Sequence, residues 1–69
     1  MMTIKMKVTG MTCGHCEAAV TKALEAVPGV ERVVEVSREK ETAIVEGDAF
    51  VNELVTAIEE EGYQAEPQS

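Results

Sequence analysis

Residues 3–27 read TIKMKVTG-MTCGHC-EAAVTKALEAV, three consecutive segments with three different patterns. From Thr3 to Thr9 the side chains alternate, with Ile4, Met6 and Val8 on one side and Lys5, Lys7 and Thr9 on the other. That period of two predicts a half-buried strand. Gly10 breaks the alternation, and a short loop is expected through Gly14. From Cys16 to Val27 the apolar residues Ala19, Val20, Ala23, Leu24 and Val27 recur at helical spacing, with Glu17, Thr21, Lys22 and Glu25 turned outward. Pro28 cannot continue the hydrogen-bond ladder and Gly29 permits a sharp exit, so the chain turns back there.

Beyond that turn, Val30 to Val36 is rich in β-branched residues and Thr42 to Glu46 alternates again. The charged run Arg38-Glu39-Lys40-Glu41 between them reads as a hairpin connection. The adjacent pair Val33-Val34 breaks strict alternation, which predicts a bulge or a valine on the solvent face. Gly47 and Asp48 read as a cap for a second helix whose stripe is Val51, Leu54, Val55 and Ile58, running to Gly62. Glu59-Glu60-Glu61 in its last turn opposes the negative end of the helix dipole, a penalty that solvent weakens. Tyr63 to Glu66 reads as a last strand and Pro67 to Ser69 as a tail. The order strand, helix, strand, strand, helix, strand is an α+β, ferredoxin-like split arrangement, with a four-stranded antiparallel sheet and both helices on one face.

A chain of 69 residues closes one small core, so residues 1–69 are expected to be a single domain, folded over 3–66. With Phe50 and Tyr63 the only aromatics, that core must be aliphatic. Thirteen acidic against six basic residues give a net charge of -7, which repels phosphate backbones and argues against nucleic-acid binding. The same charge serves solubility, or steering toward a basic partner. Lys5 and Lys7 interrupt the amino-terminal apolar stretch, no cleavage site follows it, and no run reaches membrane-spanning length. Two cysteines so close together do not staple a fold, which fits a reducing, cytoplasmic compartment.

The constellation with evident chemistry is Gly10-Met11-Thr12-Cys13-Gly14-His15-Cys16. The unpaired N-H groups and partial positive charge of a helix N-terminus stabilise a thiolate in the first turn, where Cys16 is expected. Cys13, three residues earlier on a loop that Gly14 lets bend, brings a second sulfur alongside. Two thiolates without further obvious ligands do not suit structural zinc, which takes a closed tetrahedral set, but suit soft ions such as copper(I) and mercury(II). His15 would normally point away from an ion the two cysteines share. Met6 belongs to the apolar face of the strand, and Met1 and Met2 are terminal, so thioether ligation is not expected of them.

This loop behind a first strand resembles the heavy-metal-associated domain family of copper chaperones and metal-ATPase amino-terminal domains. The likeness extends through Val20, Lys22, Ala23 and Leu24, through Pro28-Gly29-Val30, to Gly62-Tyr63. It implies a ferredoxin-like fold, metal ligation by Cys13 and Cys16, and handover of copper(I) to the metal-binding domain of a copper-transporting ATPase by thiolate exchange, with no catalysed reaction. It also implies that Met11 supports the loop from beneath without binding metal, that Thr12 supports the loop backbone, and that Tyr63 stands on the last loop near the metal. The expected state is a monomer when apo, with a metal-bridged dimer as the setting in which His15 would become a ligand. The starting Met and short tail point to a free carrier in preference to an excised domain.

Two rivals remain open on the sequence. Mercury-handling members of the family share the loop, as carriers or as a domain of mercuric reductase, so mercury(II), and after it zinc(II), stand as alternative ions. Cys-Gly-His-Cys is also the redox motif of disulfide isomerases, but that fold needs a longer chain and a proline facing the motif, whereas Pro28 ends a helix and Pro67 lies near the end of the chain.

Overall fold

The computed structural model describes residues 2–12 and 14–68; Met1, Cys13 and Ser69 lie outside the described residues. Strand β1 spans Met2–Thr9, helix α1 Gly14–Glu25, strand β2 Val30–Ser37, strand β3 Thr42–Gly47, helix α2 Val51–Glu60 and strand β4 Gln64–Gln68. The four strands form one antiparallel sheet in the order β2-β3-β1-β4. This is the ferredoxin-like arrangement expected from the alternation of periods.

The alternation in β1 sets the two faces. Met6 and Val8 are wholly buried while Lys5 and Lys7 are exposed. Met6 pairs with Ala43 and Val8 with Ala65, so the buried side of β1 continues onto β3 and β4. On that side pack Val20, Leu24 and Val27 from α1 and its exit turn, and Leu54 and Ile58 from α2. Burying a side chain of this size contributes about 1.5–3 kcal/mol, and the wholly aliphatic cluster is what joins the two layers. The opposite face stays open and carries an exposed Arg32–Glu46 ion pair, N to O 2.6 Å, worth less than about 1 kcal/mol.

Several boundaries differ from the sequence reading. Helix α1 begins at Gly14, two residues before the expected Cys16, so the loop after β1 is shorter and His15 already lies in the helix. Asp48 does not cap α2: the N-cap is Phe50, in extended conformation and without a side-chain cap hydrogen bond. Phe50 is also 75% exposed. Pro67 and Gln68 are not tail but strand, opposite Met6 and Lys5 of β1. A proline is tolerated there because β4 is an edge strand, where one side of the backbone needs no ladder partner. In β2 the register shifts between Val30 and Arg32 and again between Val33 and Glu35, and Val34 is 45% exposed, so the Val33-Val34 irregularity is a bulge that also turns a valine to solvent. Among the described residues no helix is long and apolar enough to cross a membrane.

Candidate metal-binding loop

The loop between β1 and α1 is held from two sides. Gly10 has φ +97, a conformation that L side chains rarely adopt, and Tyr63 lies directly behind it, its Cδ1 3.5 Å from where a Cβ would stand. Tyr63 follows the end of α2 and its N-H donates to the Ile58 carbonyl at 3.4 Å. Met11 is half-buried and, like Tyr63, packs against the core. The chain therefore leaves β1 pinned by a ring beneath Gly10 and by an apolar side chain at Met11.

Cys16 lies in the first turn of α1 and is half-buried. Its Sγ is 3.7 Å from the Oγ1 of Thr12, a hydrogen bond in which either atom can donate. A helix N-terminus favours negative charge on a side chain in its first turn. Cys13, the other sulfur of the motif, lies outside the described residues. Among the described residues, no three of His, Cys, Asp and Glu come together to hold an ion. Cys16 offers a soft sulfur donor, which suits a soft ion and not a hard one. His15 is exposed and borders the groove between the helices, with Ala19, Lys22 and Glu61.

A second tether escaped the sequence reading. The backbone N-H of Arg38, in the β2–β3 turn, donates to Oε2 of Glu17 at 2.8 Å, and Nη1 of Arg38 donates to the Thr12 carbonyl at 3.5 Å. Glu17, read as an outward residue of α1, is in fact half-buried, because its carboxylate is held by the hairpin. Arg38 read only as part of a charged connection. No local pattern signals such a contact, since its partners lie 21 and 26 residues away in sequence.

The acid is unevenly spread. Glu25, Glu53, Glu59, Glu60 and Glu61 are exposed on the helices and the turn that closes α2, where Lys22 is the basic residue. The open sheet face mixes Lys5, Lys7 and Arg32 with Glu35, Glu46 and Glu66. The helical layer is thus the negative surface of the molecule, and the β1–α1 loop lies at its edge.

Comparison with known proteins agrees with this geometry. The chain is 43% identical over 67 residues to the mercuric reductase of Acidithiobacillus ferrooxidans, an alignment covering 94% of this chain but 12% of that enzyme, so the chain spans only a small part of that relative's length. It is 40% identical over 68 residues to the copper chaperone CopZ of Enterococcus hirae, covering 94% of this chain and 97% of that protein. Among solved structures, a copper binding domain from HMA7, a P-type ATPase, superposes with a TM-score of 0.94 at 33% identity, covering 100% of this chain and 96% of that one. The profile of the heavy-metal-associated domain matches residues 5–64. The chain belongs to the heavy-metal-associated domain family.

Proposed function

We propose that this chain is a cytoplasmic copper(I) chaperone that takes the ion between Cys13 and Cys16 and passes it to the metal-binding domain of a copper-transporting P-type ATPase. The observation that carries the reading is the position of Cys16, in the first turn of α1 beside Thr12, at the end of a loop fixed from behind by Met11 and Tyr63. A sulfur so placed is near enough to the surface for a second protein to reach. Copper(I) is cargo here, and the chain catalyses no reaction. Handover proceeds by exchange: an incoming thiolate of the partner binds the ion, one cysteine of this chain leaves, and a second exchange completes the transfer. Because each step makes one copper–sulfur bond as another breaks, transfer is fast although binding is tight.

The likeness over nearly the full length of a copper chaperone, and the fit to a copper-binding domain of a P-type ATPase, support both the cargo and the partner. The acidic helical layer is the surface by which a basic face of the partner would be steered to the loop. Of its members Glu25 is available, whereas Glu17 is engaged by Arg38. A single domain spanning residues 1–69 is part of the same reading.

One observation favours a second cargo: the 43% identity to a mercuric reductase keeps mercury(II) in play. An anaerobic competition titration separates the two. Reduced protein, Cys13→Ser and Cys16→Ser are titrated against a copper(I) chelator in excess glutathione, with mercury(II) and zinc(II) in parallel. Copper(I) retained by the intact protein and lost by both variants is the expected result. Copper(I) lost while mercury(II) is held would assign the chain to mercury handling instead.

A further inference from the structure

The hairpin places a cation, Arg38, against the β1–α1 loop of a protein whose net charge is -7. Arg38 is anchored by its own N-H to the Glu17 carboxylate at 2.8 Å, and Glu17 is in turn fixed in α1, where its carbonyl accepts the Thr21 hydroxyl at 2.8 Å. The side chain reaches back to the carbonyl of Thr12, the residue preceding Cys13, and the Thr12 hydroxyl meets the Cys16 sulfur. Among the described residues the ion pairs are Arg32–Glu46 and Lys40–Glu35, so the Arg38 guanidinium is not neutralised by a paired carboxylate.

We propose that Arg38 determines ion specificity: its charge, held against the Thr12–Cys16 loop by the Glu17 tether, favours a monovalent soft ion over a divalent one. The proposal rests on the thiolate-pair reading above. Two thiolates around a monovalent ion leave a complex of charge -1, whereas the same pair around a divalent ion is neutral. A guanidinium beside the loop stabilises the first and is indifferent to the second. The difference between the two complexes does not depend on how many protons the empty site carries, because both ions start from the same apo protein. In a molecule of net charge -7 the remaining field disfavours an anionic complex, and Arg38 opposes that field at the Thr12 end of the loop.

The test compares Arg38→Gln and Arg38→Lys with the unmodified full chain, reduced and anaerobic, by competition titration of copper(I) and mercury(II) at low and high ionic strength. Arg38→Gln is expected to shift the ratio of copper(I) to mercury(II) affinity roughly two- to five-fold toward mercury(II) at low salt, the size of an exposed charge interaction. The shift should shrink at high salt, and Arg38→Lys, which keeps the charge, should retain most of the parent's copper(I)-to-mercury(II) ratio. Equal loss for both ions would mean that Arg38 only shapes the loop, and unchanged affinity for both would mean that it does nothing; either outcome overturns the proposal. Failure of the unmodified chain to hold either ion through its cysteines would instead defeat the thiolate-pair reading, and this proposal with it.

Discussion

Gly47 backs onto Gly29 so closely that a Cβ on Gly47 would overlap the Gly29 carbonyl oxygen, the same oxygen that accepts the N-H of Asp48 at 2.9 Å. Gly47 also has φ +146 and ends β3, opposite both Met2 of β1 and Val30 of β2. The contact therefore joins the exit turn of α1 to the end of the central strand β3. Gly47→Ala must push two backbone segments apart and is expected to destabilise the domain by about 2–4 kcal/mol. Chemical denaturation of the apo protein reads this directly; a loss under about 0.5 kcal/mol would mean that the strands separate without cost.

Leu24 is wholly buried between α1 and the sheet. Leu24→Ala should cost about 2–5 kcal/mol, comparable to the whole stability that a core of this size supplies. The apo variant is then largely unfolded at room temperature by circular dichroism. If the loop holds copper(I) only when folded, stoichiometric copper(I) restores the native spectrum, because a ligand specific to the folded state shifts the folding equilibrium. Failure of copper(I) to restore it would separate metal binding from the fold.

Tyr63 acts on the loop through Gly10. Tyr63→Ala removes the ring behind that residue and should destabilise the domain by about 1–3 kcal/mol while accelerating copper release. Tyr63→Phe keeps the ring and removes the hydroxyl, so a change in release rate smaller than about tenfold is expected, at the lower end of what outer-shell groups contribute. Stopped-flow transfer to a chelator measures both. A Phe variant identical to the parent would leave Tyr63 a packing residue only.

His15 borders the groove with Glu61 and Lys22. His15→Ala is accordingly expected to keep the copper-to-protein ratio of the parent and its oligomeric state on copper loading, checked by metal analysis and analytical ultracentrifugation. A drop in either would give His15 a ligand role in a metal-bridged dimer.

Much of this molecule was legible in the chain because its periods are local and unambiguous. The alternation at Ile4, Met6 and Val8 and the stripe at Val20, Leu24 and Val27 each define a face within a few residues, and the faces meet in one core. Legibility failed where local chemistry allowed more than one answer. Asp48 is a good capping residue, yet the extended backbone at Phe50 starts α2 two residues later. Pro67 reads as a strand stop, yet an edge position admits it.

Residue types at short spacing are enough for the order of elements, the aliphatic core and the cysteine motif. What braces the loop depends on packing between elements distant in the chain. Arg38 and Glu17 meet across 21 residues because the β2–β3 register and the docking of α1 bring the hairpin turn to the first turn of the helix. Tyr63 stands behind Gly10 because β4 pairs beside β1. Such contacts depend on how whole elements pack against one another, and no short stretch of sequence encodes that placement.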